Sequence, residues 1–289
     1  MGDILTGTST LLLGAPGAGK TYSLTTLIEA GLELFVVVTD PGGVESIIDS
    51  MVARNLDMDK FHYNYVAPVS SDWKTFLSMA KTMTTLGYKD MAGLKSGVEK
   101  KDFIQFTKLI ETLNDFVDER TGESFGPVDD WGPDRALVID SMSGVNVMAM
   151  KQMVGAKLSA HQGEWGVAMN AEETLLLKLT SDLTCYLVCT AHIDRIMDET
   201  IGKPMNSVAL LGNKLAPKIP RLFSDVVLAY RDGQNFFWST TEANTDLKAR
   251  SLPLAAKLEP TFKPIVRRQT ERFAAATPQA SLTEIKETL

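Results

Sequence analysis

Apolar runs of strand length alternate along the chain with stretches in which apolar residues return every three or four positions. The runs fall at residues 10–13, 34–40, 136–140 and 183–191, with a more mixed one at 61–66. Short apolar runs without polar alternation fit strands buried on both faces. The helical spacing predicts helices over 22–30, 44–54, 72–86, 102–120 and 144–180, the last broken near 159–166. In the 102–120 segment the apolar face is Phe103, Phe106, Ile110, Leu113 and Val117. Buried strands alternating with helices predict an α/β protein with a mostly parallel central sheet flanked by helices. Residues 225–231 and 235–241 read as paired strands around Asp232-Gly233, whereas 193–220 reads as irregular, broken by glycine and proline.

The connecting segments differ in charge. Residues 87–101 carry Lys89, Lys95, Lys100 and Lys101 and read as a basic loop; residues 123–134 form an acidic one. A second basic stretch, Lys263, Arg267, Arg268 and Arg272, precedes a short helix from Leu282 whose capping box is Ser281 and Glu284. The expected division is a core over 1–250 and a C-terminal extension over 251–289. At 289 residues there is room for one substantial α/β core. The net charge of -7 argues against wholesale coating of nucleic acid but leaves a local basic groove open. With no run of 18 apolar residues and no leader pattern, the expectation is a soluble, cytoplasmic protein with no membrane partner. Cys185 and Cys189, four apart on one buried run, read as two thiols rather than a disulfide. His62 and His161 are scattered and suggest no metal site.

The chemistry concentrates after the first run. Gly14-Ala15-Pro16-Gly17-Ala18-Gly19-Lys20-Thr21 is a complete G-x-x-x-x-G-K-T phosphate loop, preceded by a strand and followed by a helix that Tyr22 opens. Successive backbone N–H groups and the start of a helix make a nest for the α- and β-phosphates. Lys20 reaches the β- and γ-oxygens, and the Thr21 hydroxyl is a Mg²⁺ ligand. The implied cofactors are therefore ATP and Mg²⁺. Asp140, delivered by four apolar residues to the end of a strand, is the second acidic element that would hold the metal's hydration shell. Ser141 follows it where an Asp-Glu pair would place a water-activating base. Asp40, ending the neighbouring strand, is a candidate for positioning the metal or water. Glu45, just past Gly42-Gly43, is the candidate base, with Glu172 and Glu173 further from consideration. His192 ends the 183–191 run and is a candidate sensor of the γ-phosphate.

The chain resembles the RecA-type ATPase core, and most closely the small phage-encoded RecA-like ATPases, some of which act in single-strand annealing or recombination. The resemblance runs from about Thr10 to Arg250. It rests on the phosphate loop, on Leu137-Val138-Ile139-Asp140-Ser141, on Cys189-Thr190-Ala191-His192-Ile193-Asp194 and on Asp246-Leu247-Lys248-Ala249-Arg250. It implies a P-loop NTPase fold with a RecA-like core. It also implies that Lys248 and Arg250, two apart on a strand, reach the nucleotide of a neighbouring subunit, so that the working form is a homo-oligomer, ring or filament. Loops at about 157–166 and 198–214 would bind single-stranded DNA, with Lys157, Lys203 and Lys214 on phosphates and Trp165 on a base. Phage recombination or replication proteins would be the wider partners.

Two departures stand against the resemblance. RecA proteins place a catalytic glutamate two residues after the equivalent of Asp40, where this chain has Gly42. The other is size: the expectation is that no N-terminal domain precedes the phosphate loop, whereas a complete replicative helicase or full-length RecA would require one. The absent glutamate and the acidic overall balance favour, as the alternative, a nucleotide-gated assembly or regulatory protein with weak hydrolysis and no DNA. A small-molecule kinase would need an arginine-rich lid, and a GTPase an Asn-Lys-x-Asp motif; neither is evident.

Overall fold

The apolar runs become the centre of one seven-stranded sheet. A computed structural model describes residues 6–66, 72–85, 102–155, 160–198, 202–210 and 215–276. Its strands are β1 (Ser9–Gly14), β2 (Glu33–Val38), β3 (Phe61–Tyr65), β4 (Arg135–Asp140), β5 (Tyr186–Ala191), β6 (Ile193–Asp198), β7 (Lys203–Val208), β8 (Asp225–Asp232) and β9 (Asn235–Ser239). The main sheet has the order β3-β2-β4-β5-β1-β8-β9, and every pairing in it is parallel except β8 with β9. β6 and β7 form a separate antiparallel pair. Every residue of β1 and of β5 is buried. Helices on both faces leave no solvated side, so these strands have no need of polar alternation.

The helices are α1 (Lys20–Ser23), α2 (Thr26–Glu29), α3 (Gly43–Ala53), α4 (Trp73–Met83), α5 (Gln105–Asn114), α6 (Met142–Val154), α7 (Gln162–Ser181), α8 (Ile219–Leu222) and α9 (Lys263–Ala276). Adjacent strand residues point to opposite faces, so Leu11 and Leu12 enter different cores. Leu12, Val36, Val138 and Val188 meet Leu27 of α2, Ile47 and Met51 of α3 and Ile265 of α9. Leu11, Phe35, Leu137 and Leu187 meet Leu109 of α5, Val145 of α6, Leu176 of α7 and Ile219 of α8. Full burial of each such side chain contributes roughly 1.5–3 kcal/mol. The two half-cores hold the sheet's carboxyl end in place.

Four sequence expectations change in the fold. The helix expected over 22–30 is two short pieces. Ser23, Thr25 and Thr26 donate their hydroxyls to the carbonyls of Lys20, Tyr22 and Ser23. Leu24, Leu27 and Ile28 bond three residues back, which tightens the helix locally. The helix expected over 102–120 is confined to α5. Beyond it the chain folds back, Phe125 N–H donating to the Phe116 carbonyl at 2.8 Å, while Phe116 and Trp131 pack against Phe35. The irregular stretch expected over 193–220 contains the β6–β7 hairpin. Only its base is buried, at Val208 with Ile193 partly covered, while Arg195 and Met197 are exposed, so little pattern reports it. Lys248 and Arg250 do not lie on a strand; only an isolated bridge joins Lys248 to Val226.

The described part of the segment after residue 250, up to residue 276, packs on the same core. Phe262 and Trp238 are wholly buried with ring centroids 4.8 Å apart, and the Thr8 N–H donates to Gln269 Oε1 of α9 at 2.6 Å. The basic loop 87–101, Lys157, Lys214 and the helix expected from Leu282 lie outside the described residues, as does the side chain of Lys203. Among the described residues no helix is long and apolar enough to cross a membrane.

Candidate functional site

Four parallel strands, β1, β2, β4 and β5, deliver their carboxyl ends to one edge, where open α/β sheets bind ligands. The segment Gly14–Thr21 leaves β1 there and turns directly into α1. Gly19, the residue before α1, has φ 81°, a left-handed conformation that side chains with a Cβ rarely adopt. A Cβ at Gly19 would also lie 2.8 Å from the Phe236 ring. The result is an open groove of about 680 Å³, bordered by the loop, Asp40, Asp140, His192 and Phe236.

Burial opposes charge in the groove, and pairing sustains it. Lys20 is 7% exposed, and its Nζ donates to the carbonyls of Gly14 at 2.8 Å and Ala15 at 3.1 Å. Burial lowers its pKa, while the carboxylates of Asp140 and Asp40 pull the other way. Asp140 is 4% exposed; its Oδ2 accepts from Thr21 Oγ1 at 2.9 Å and its Oδ1 from Thr190 Oγ1. Burial raises the pKa of Asp140 against those two hydroxyl bonds. Asp40 accepts from Ser141 Oγ, and His192 spans the gap, with Nε2 3.9 Å from Asp40 Oδ2 and Nδ1 3.4 Å from Lys20 Nζ. Thr39 fixes the start of α6 by donating to the Ser141 carbonyl at 2.7 Å and accepting its N–H at 2.8 Å.

The arrangement suits a polyanion with a hard cation. Thr21 and Asp140 present a hydroxyl and a carboxylate side by side, the oxygen donors such a cation takes. Among the described residues no group of three or more His, Cys, Asp or Glu side chains could hold a metal unaided. A Mg²⁺ ion here would therefore be shared between Thr21, Asp140, water and the ligand's own phosphates.

Gly14, Ala15, Pro16, Gly17, Ala18, Gly19, Lys20, Thr21, Asp40, Asp140 and His192 are brought together, and Tyr22 stands at the rim beneath the Arg54 guanidinium, 5.1 Å away. Other candidates are not. Glu45 is exposed and does not border the groove; on α3 that role falls to Ser46 and Asp49. Gly42 has φ 79°, so its backbone disfavours the glutamate that the resemblance would place there. Glu172 is wholly buried in α7, and Glu173 pairs with Lys218 at 3.0 Å. Lys248 is tied by two backbone bonds to Val226, near the amino end of β8, and its Nζ donates to the Phe223 carbonyl at 2.6 Å. The Arg250 N–H is held by Asp225, the first residue of β8. Because β8 runs parallel to β1, both residues lie toward the opposite end of the sheet from the phosphate loop of their own chain.

Sequence reasoning missed Ser46, Asp49, Thr190 and Phe236. The first two had a signal in their i, i+3 spacing after a Gly-Gly turn, and Thr190 as a polar residue inside an apolar run. Phe236 had none, because only the β8–β9 hairpin carries it to Gly19. The first DNA loop expected at 157–166 is in part helix, since α7 begins at Gln162 and Trp165 lies in its first turn. The chain matches no family model and no curated protein.

Proposed function

We propose that this chain is a Mg²⁺-dependent ATPase with a RecA-like phosphate-loop core, acting as a homo-oligomer on single-stranded DNA in phage recombination, repair or replication. The observation that carries the reading is the Thr21–Asp140 contact at 2.9 Å beside the buried Lys20. It brings a lysine, a hydroxyl and a carboxylate together at the carboxyl ends of β1 and β4, the two neighbours of β5. Loop amides and Lys20 would hold the β- and γ-phosphates and stabilise the charge that develops as water attacks phosphorus. A bound Mg²⁺ supplies neutralisation of the phosphate oxygens. Asp49 and Asp40 border the groove and stand where water could be oriented. Tyr22 and Phe236 offer flat apolar faces for a base.

Coupling to a partner would run through His192. It touches Lys20 and Asp40 on one side, and its carbonyl accepts the Ala209 N–H at 2.9 Å, closing the base of the β6–β7 hairpin. A change at the γ-phosphate would move that base, and the hairpin would carry it to DNA. Lys248 and Arg250 would serve the nucleotide of the next subunit, since they stand apart from their own.

The test is phosphate release from ATP with Mg²⁺, with and without single-stranded DNA, beside Lys20→Ala. Expected is DNA-stimulated release that the substitution abolishes. Equal release by both proteins would overturn the reading. A second reading, a nucleotide-gated assembly protein with weak hydrolysis, is favoured by the left-handed Gly42 and by the exposed position of Glu45 outside the groove. It predicts tight ATP binding, little turnover and no response to DNA.

A further inference from the structure

The basic stretch on α9 divides into paired and unpaired charges. Lys263 Nζ lies 2.7 Å from Glu29, and Arg267 Nε lies 3.7 Å from Glu271. Arg268 and Arg272, one helical turn apart, face the chain at Arg250. The three guanidiniums border one concavity of about 370 Å³, completed by Glu271 and Ala275. Among the described residues neither Arg250 nor Arg268 has a carboxylate ion pair, and Glu271 is turned to Arg267.

Arg272 and the backbone at Arg250 anchor the cluster. Arg272 donates to Thr8 Oγ1 at 2.8 Å and to Ser251 Oγ at 3.4 Å. The wholly buried Asp225 accepts the N–H groups of Arg250 and Ser251 at 2.7 Å each. Asp225 Oδ2 has no partner of its own, so its charge also faces the arginines. Burial first, and then the like charge of Arg250, lowers the pKa of Arg272. Three cations gathered in a chain of net charge -7 repel one another. An anion that accepts from all three would relieve that repulsion, and planar guanidiniums recognise phosphoryl oxygens in pairs.

We propose that Arg250, Arg268 and Arg272 form a second polyphosphate-binding site, at the end of the sheet opposite the phosphate loop. Three positive charges, partly offset by Asp225 and by Glu271 at the rim, call for a ligand with negative charge and tetrahedral oxygens. A diphosphate or triphosphate group fits both requirements and the volume. The group arrives either free in solution or as the phosphate tail of a nucleotide carried by a second copy of this chain. For a free group the site needs no property of the phosphate loop and stands or falls separately; for a group carried by a second copy it rests on the proposed function.

Calorimetric titration of the full chain with inorganic tripolyphosphate tests it. Lys20→Ala silences the first site, and Arg268→Glu is added to that background; Arg268 is exposed and bonds to no other side chain among the described residues, so its loss should not unfold the chain. Lys20→Ala should retain one equivalent of binding, and the double variant should bind at least tenfold more weakly. Arg268→Lys on the same background should fall between the two, because it keeps charge and loses the fork. Sedimentation of Arg268→Glu alone, with ATP, separates the sources. ATP-dependent association that weakens in the variant assigns the site to a second copy's nucleotide, and unchanged association assigns it to a free polyanion. Loss of all tripolyphosphate binding in Lys20→Ala, or equal binding by Lys20→Ala and the double variant, would overturn the proposal.

Discussion

Two buried carboxyl groups, one at the phosphate-loop end of the sheet and one inside α7, meet opposite conditions. Asp140 accepts hydroxyl bonds from Thr21 and Thr190 and lies beside Lys20. Glu172 is wholly buried, and neither of its oxygens has a partner. Burial raises both pKa values, and with nothing to oppose it pushes Glu172 to about 8. Glu172 is thus largely a neutral acid at pH 7, unfit to be the base once considered for it. Asp140 sits where hydroxyls and a lysine oppose that trend, and a bound cation would oppose it further. Burial alone marks a carboxyl group as unusual; its partners decide whether it can hold charge.

Substituting each acid with its amide should separate these roles. Asp140→Asn is expected to lower Mg²⁺-dependent ATP turnover by about a hundredfold or more while leaving the denaturation midpoint unchanged or raised, since an amide is cheaper to bury. A variant that kept its turnover would remove Asp140 from the site. The effect next in size belongs to Glu172. Its folded pKa lies above the ordinary 4.5, so its native protonated form contributes fully below about pH 4.5 and the benefit is lost as pH rises toward 8. The loss is about 1.4 kcal/mol per pH unit across that window. Glu172→Gln should flatten the slope in urea melts between pH 5 and 8, with the gain largest at pH 8 and ATP turnover intact. Parallel slopes for both proteins would show that Glu172 is ionised or paired.

Asp118 provides a third, contrasting case away from the groove. It too is wholly buried, and burial pushes its pKa up, yet bonds from His62, from the N–H groups of Arg120 and Tyr63 and from Thr121 outweigh that and hold it below the ordinary 3.8. Its contribution is present above that value and lost as pH falls through the folded pKa. Asp118→Ala should cost about 2–3 kcal/mol at pH 7 by orphaning those donors. The gap from the wild type should close in denaturant melts below pH 4; a gap that stayed constant would mean packing, not charge, was lost.

The sequence by itself determined the sheet's inner strands and the turn at Gly14–Thr21. Residues 10–13, 136–140 and 183–191 are apolar enough to exclude any exposed place, and Gly14–Thr21 carries its own glycine geometry in a strand–turn–helix frame. Local chemistry suffices where every residue answers to the same neighbourhood. Tertiary structure decided what depends on distant pairings. It placed Ser46 and Asp49, one turn apart on the exposed side of α3, beside the groove. It paired β6 with β7, whose largely exposed residues leave little hydrophobic pattern to read. It also drew Arg268 and Arg272 to Arg250 by docking α9 across the start of β1, a contact between residues eighteen or more positions apart that no spacing rule anticipates. Burial patterns are written residue by residue, whereas convergent charge is set by the packing of whole elements.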